Sequence, residues 1–565
     1  MRILLVASAF NSLTQRVYAE LCDRGHGAAL VLAGDDASLR AAVHLRAPQL
    51  IIAPMLKTAI PEDIWSQYVC LVVHPGPPGD RGPSSLDRAV QDGENQWGVT
   101  VLQAAAEMDG GDIWASESCF LPPVGKSDLY RGEIADAAVT AVLLAVERFA
   151  AGSYIPKPQH GLAVRSRPYL RQHERSIDWT AESRESVLRT LRAADSQPGV
   201  PDEVLGVPCF LYGGHAEDRL RGEPGSILAS RDGAICRATV DGAVWIPQAR
   251  LRSAPGERPA VKLPAATVLG DRLVDVREVP APLELLEGRR TWREIRYREH
   301  ADVGFLRFSF PGGAMSTGQC RRLLAAYRFA CTRPTRVLVL GGERDFFSNG
   351  IHLNVIEAAA DPAAESWANI QAMDDLVEAV LTTNDRLVVA ALSGNAAAGG
   401  AMLAIAADEV WCREGAVLNP HYRLMGLFGS EYWTYTLPRR VGADRAAALL
   451  RDATPLSGSA AQDIGLVDRV VPSSPQEFAA EVAERAASLA GGAATDRRIA
   501  DKKAARERDE SVRPLASYRD EELTRMRQAF FSPDAPYHAL RSAFVHKQPS
   551  PDPSGVSAAL LHSAP

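Results

Sequence analysis

No run of eighteen apolar residues occurs in the 565-residue sequence, so nothing in it reads as a membrane-spanning helix. Cysteine is sparse and scattered, at positions 22, 70, 119, 209, 236, 320, 331 and 412, with no C-x-x-C pair. That argues against a zinc or iron–sulfur site and for reduced thiols in a cytoplasm. The histidines lack metal-ligand spacing, and no metal is expected. An excess of basic charge is missing too. A net charge of −7 removes the usual footprint of a nucleic-acid binder. The apolar run in MRILLVASAFNS is too short for a signal peptide and reads as a strand. No repeat of 20–50 residues recurs.

What remains is ordinary globular composition, 46% hydrophobic and 23% charged, in a chain too long for one core. The expected class is multidomain α/β. Over 1–155, the strands RILLVA (2–7), AALVLA (28–33), QLIIAP (49–54) and CLVVHP (70–75) alternate with helical stretches, which predicts a parallel sheet. From 170 to 290, short strands such as VPCFLYGG and GAVWIPQARL, broken by Gly and Pro, predict a small OB-like β-barrel module. A second α/β pattern fills 291–480, with VGFLRFSF, TRVLVLGG, RLVVAAL and DEVWC as strands. Charged helices follow over 481–548, and a Pro- and Ser-rich tail over 549–565 is expected to be disordered.

His74 closes a buried strand and is followed by Pro75, Gly76, Pro77, Pro78 and Gly79. In a parallel α/β sheet, ligands sit beyond the C-terminal strand ends, where His74 lies. With Asp109 in "EMDGGDIW", it offers an oxyanion donor and a carboxylate for acyl transfer. The bland alternative is a strand-end histidine and a turn aspartate.

The wording H-P-x-x-x-x-x-R-G-P-S-S…G-V-T-V…M-D-G-G-D-I resembles the 10-formyltetrahydrofolate-dependent formyltransferases, over roughly 1–280. The resemblance implies that His74 and Asp109 are catalytic. The Asn that this family carries two residues before its His is Val72 here, which points weakly toward a thiol acceptor rather than an amine.

The second half carries "FFSNGIHLN" (346–354), "SGNAAAGGAMLAIAADEVWC" (393–412) and "GLVDRVV" (465–471), which resemble the crotonase (enoyl-CoA hydratase/isomerase) superfamily. That resemblance implies an oxyanion hole from the Ile351 and Gly399 amides, with Gly400 behind. The two hydratase glutamates fall on Met402 and Tyr422, so hydratase chemistry is not expected. "NPHYRLMGLFGSEYWTYTLPRR" (419–440) instead offers Tyr422 and Glu431 on one segment, the alternative being that Glu431 pairs with Arg439 or Arg440.

Taken together, the stretches resemble the HypX (HoxX) family of [NiFe]-hydrogenase maturation proteins. That implies formyl transfer from 10-formyltetrahydrofolate to coenzyme A, then decarbonylation of formyl-CoA to carbon monoxide, with Tyr422 or Glu431 as base. It also implies small-molecule substrates and transient contact with hydrogenase maturation proteins. Arg16, Arg131 and Arg541 are candidate contacts for the CoA phosphates. Rival readings are a two-headed enzyme with unrelated acyl-CoA chemistry in its second half, and a non-catalytic maturation chaperone.

Overall fold

The computed structural model describes residues 1–548 apart from 255, 286 and 287, so the 549–565 tail lies outside the described residues. Among the described residues the chain divides into two compact units, one of residues 1–280 with 289–292, the other of 281–288 with 293–548.

The first unit begins with a six-stranded sheet. Its strands Gly27–Leu32, Arg2–Ala7, Leu50–Met55 and Cys70–His74 lie side by side and run parallel. The apolar runs of the inner strands Arg2–Ala7 and Leu50–Met55 are buried on both faces, as parallel strands require, while Gly27–Leu32 at the sheet edge is partly exposed. The next strand, Gln96–Gln103, enters antiparallel against Cys70–His74, and Ile113–Phe120 closes the sheet antiparallel to it. The parallel pattern of the sequence therefore stops at His74, because the short Ser85–Asp92 helix returns the chain without a full crossover. Helix Glu133–Ala151 packs its Ala/Val/Leu face on these last two strands.

Two four-stranded sheets follow within the same unit, each built from antiparallel pairs. They share an apolar core with helix Arg184–Ala193, in which Leu188, Leu211, Ile235 and Ile246 meet.

The second unit holds a six-stranded sheet in the order Ile295–His300, Val303–Phe308, Val337–Gly341, Leu387–Leu392, Glu409–Arg413, Arg469–Val471, parallel after the first antiparallel pair. A smaller three-stranded sheet joins Ala396–Ala397, Val417–Asn419 and Leu456–Ser457. Helices Thr317–Cys331 and Pro362–Thr382 pack on one another over the larger core cluster. Of the C-terminal helices, Leu515–Phe531 packs on Pro362–Thr382, and Tyr537–Val545 packs on Leu353–Ala358. Among the described residues, no helix is long and apolar enough to cross a membrane.

Candidate active sites

In the first unit, the loop after His74 is pinned by side chains. Trp97 Nε1 and Ser85 Oγ donate to the Pro75 carbonyl at 2.8 and 3.1 Å, and Thr100 Oγ1 donates to that of Gly76 at 2.7 Å. The turn brings Asp80 back under the ring: His74 Nε2 lies 3.0 Å from Asp80 Oδ1, with both side chains buried. Gly76 is needed there, since a Cβ would sit 2.4 Å from His74 Nε2 and 2.5 Å from Asp80 Oδ1.

On the other edge of the ring, His74 Nδ1 is 3.5 Å from Asp109 Oδ2. Asp109 is left-handed (φ 53°), and the Gly82 N–H donates to its Oδ2 at 2.9 Å. Arg167 Nε backs Asp80 at 3.3 Å. His74 thus sits between two carboxylates, and its tautomer decides which receives its N–H. The structure brings His74 and Asp109 together, and adds Asp80. Sequence reasoning missed Asp80 because a carboxylate in a Pro/Gly loop reads as a turn former. Val72, on the same face of the strand as His74, packs against apolar neighbours and supplies no donor.

Arg16 and Arg131 sit on helices Ser12–Asp23 and Lys126–Arg131, which pack on each other and on Glu133–Ala151. Arg16 is paired with Asp136, and Arg131 donates to Ser127 Oγ at 3.4 Å.

In the second unit, two loops meet. The Phe346–Ile351 segment is tied down by bridges of Ser348 to Ala396 and of Ile351 to Met315. The Gly399–Ile405 helix starts from Ala398, whose φ is 46°. A Cβ on Gly350 would lie 3.2 Å from the Gly399 nitrogen, which shows how close the two turns come. Neither the Ile351 nor the Gly399 N–H is taken up by a backbone carbonyl among the described residues. Amides from two such neighbouring turns, one of them at a helix start, can stabilise a thioester oxygen where both face it. Gly400 lies directly behind, where a Cβ would strike the Ser348 carbonyl at 2.1 Å.

Glu431 reaches the Gly399 turn as well. Its Oε1 occupies the space a Gly399 side chain would take, 2.1 Å from a Cβ built there. Tyr422 Oη donates to Glu431 Oε2 at 2.7 Å, and both residues are buried. Burial first, then the charge of Asp374, pushes the Glu431 carboxyl well above the usual carboxylate range. The Tyr422 phenol is raised as well, by burial and by Glu431 beside it. Met402 is wholly buried in the apolar core. Arg439 pairs with Asp509 and Arg440 with Asp468, so neither is the partner of Glu431.

Beneath Glu431 lie Asp374 and Glu522, buried carboxylates that sequence reasoning missed. Each had a signal. Asp374 falls on the apolar stripe with Ile370 and Val377, and Glu522 on the one with Tyr518, Met526 and Phe530. Arg541 is buried in the same unit, with Nε 2.8 Å from Glu357 Oε2 and Nη1 2.6 Å from His538 Nδ1. Among the described residues, no cluster of His, Cys, Asp and Glu could hold a metal ion.

The family model for the formyl transferase C-terminal domain matches residues 169–256, and that for enoyl-CoA hydratase/isomerase matches residues 314–549. The chain is 46% identical to hydrogenase maturation factor HoxX of Bradyrhizobium diazoefficiens, over 100% of this chain and 98% of that protein. Methionyl-tRNA formyltransferase of Verminephrobacter eiseniae is 27% identical over 37% of this chain and 66% of its own length. Among solved structures, HypX from Aquifex aeolicus in complex with tetrahydrofolic acid superposes with a TM-score of 0.95 at 42% identity, covering 99% of this chain and 98% of that one. With its formyltransferase-like and crotonase-like parts in this order, the chain belongs to the HypX/HoxX family of hydrogenase maturation factors.

Proposed function

We propose that the chain makes carbon monoxide for hydrogenase maturation in two steps. In the first unit, the thiol of coenzyme A takes the formyl group of 10-formyltetrahydrofolate, releasing tetrahydrofolate. His74 stabilises the oxyanion at the formyl carbon, while Asp109 and Asp80 orient its ring and hold the proton in transit. The tetrahydrofolic acid bound in HypX from Aquifex aeolicus supports this substrate.

In the second unit, the Ile351 and Gly399 amides hold the formyl oxygen. Glu431 removes the formyl proton, the C–S bond breaks with its electron pair leaving on sulfur, and the thiolate regains a proton. The products are CO and coenzyme A. Tyr422, hydrogen-bonded to Glu431, orients the carboxylate. Arg16, Arg131 and Arg541 are assigned to the CoA phosphates, and the cytoplasm and transient contact with hydrogenase maturation proteins follow from the same reading.

The observation that carries the proposal is the buried Tyr422–Glu431 pair laid against Gly399. A carboxylate in an apolar site is a stronger base than one in water. Met402 offers no acid or base, which weighs against hydration in this half. The test is gas-phase CO detection from purified protein with 10-formyltetrahydrofolate and coenzyme A. Wild type is expected to release CO, and Glu431→Ala to accumulate formyl-CoA. Formyl-CoA without CO from wild type would sink the decarbonylation step.

A further inference from the structure

The turn that carries Glu431 has an unusual conformation and an unusual support. Glu431 and Tyr432 are consecutive left-handed residues, with φ of 63° and 58°. Residues with side chains hold that conformation only where their surroundings enforce it. Here two carboxylates do so. Asp374 Oδ1 accepts the Glu431 N–H at 2.8 Å, and its two oxygens accept the Ser430 hydroxyl at 2.9 and 2.8 Å. Glu522 accepts the Tyr432 N–H at 2.9 Å, the Thr434 N–H at 2.8 Å and the Thr434 hydroxyl.

Asp374 and Glu522 come from helices Pro362–Thr382 and Leu515–Phe531, and each interrupts an apolar stripe that a hydrophobic residue would fill at less cost. The cation nearest Asp374 is Arg519, whose Nε stands 4.0 Å from Oδ2 while its other nitrogens bind Asp375 and Glu378. Pairing with Arg519 therefore does not account for the buried acids. The turn does.

We propose that Asp374 and Glu522 are positioning residues of the second site, which clamp the Ser430–Thr434 turn in the left-handed form that aims the Glu431 carboxylate at Gly399. The proposal rests on Glu431 as the base for the formyl proton. It also assigns an electrostatic part to the clamp. Glu431 faces Tyr422, Asp374, Glu522 and the Cys320 thiol, with Arg519 beyond Asp374. The two acids beneath it raise its carboxyl further than burial does alone.

The test compares wild type with Asp374→Asn in the full chain, reading CO release and formyl-CoA formation against pH. In parallel, the Glu431 carboxyl is titrated by its infrared C=O band, assigned through Glu431→Gln. Asp374→Asn is expected to move both the rising limb of CO release and the Glu431 band to lower pH. CO release falls on the order of 100-fold through misplacement of the base, with formyl-CoA formation unchanged. Glu522→Gln is expected to move the limb and the band the same way, and serves where Asp374→Asn does not accumulate. A limb and band left at the wild-type pH, whatever the rate, would overturn the proposal, since a merely structural role changes amplitude alone. A shifted band in a protein whose wild type releases no CO would keep the clamp and remove Glu431 as the base.

Discussion

Tyr422 Oη donates a hydrogen bond to Glu431 Oε2 at 2.7 Å, and both residues are buried. That bond favours the ionised carboxylate, against the burial and the neighbouring acids that favour the protonated form. Tyr422→Phe removes it. The Glu431 carboxyl then rises, so the rising limb of CO release moves to higher pH. The rate near neutrality is expected to fall about 10- to 100-fold. A pH profile of CO release checks the direction, which is opposite to that expected for Asp374→Asn.

Asp80 and Asp109 flank His74 on its two nitrogens at 3.0 and 3.5 Å. Asp80→Asn keeps the shape and removes the charge that orients the ring and faces Arg167. Formyl-CoA formation is expected to drop on the order of 100-fold, while CO release from added formyl-CoA stays at the wild-type rate. The two assays run on one preparation decide it, and equal loss in both would assign Asp80 to folding instead.

Gly399→Ala places a methyl 2.1 Å from Glu431 Oε1. The carboxylate is anchored through Tyr422 and the turn beneath it, so it has little freedom to give way. CO release is expected to fall below detection with formyl-CoA accumulating, as in Glu431→Ala. Single-turnover mass spectrometry of CoA esters reads this directly.

Stability should carry the mark of the buried acids. Burial pushes the Glu522 carboxyl from 4.5 up to about 8, and Asp374 and Glu431 also rise. Above the ordinary carboxylate range, the unfolded chain has released protons that the folded chain still binds. Stability therefore falls as pH rises from about 5 to about 8. Glu522→Gln removes one titrating group and flattens the slope. Denaturant midpoints across that window check it, and an unchanged slope in the variant would count against a buried, protonated Glu522.

Much of the candidate site was legible because its parts are local. His74 ends an apolar strand, the Gly/Pro loop follows at once, and Tyr422 and Glu431 share one segment. The spacing of strands and helices gave both α/β sheets, though the antiparallel entry of Gln96–Gln103 is set by how the chain returns after Ser85–Asp92. Asp80 was less legible, because its meaning lies in where the turn after His74 delivers its side chain.

The residues themselves determine the chemistry this chain can attempt: a strand-end imidazole with a turn aspartate, glycines at two amide loops, and a tyrosine and a glutamate nine residues apart on one segment. Tertiary structure alone decides how strong those groups are and where they point. Asp374 is 57 residues from Glu431, and Glu522 lies on a helix near the end of the chain. Only packing brings both under one turn. A carboxylate's basicity depends on the water it has lost and the charges it has gained, and those are properties of the folded interior.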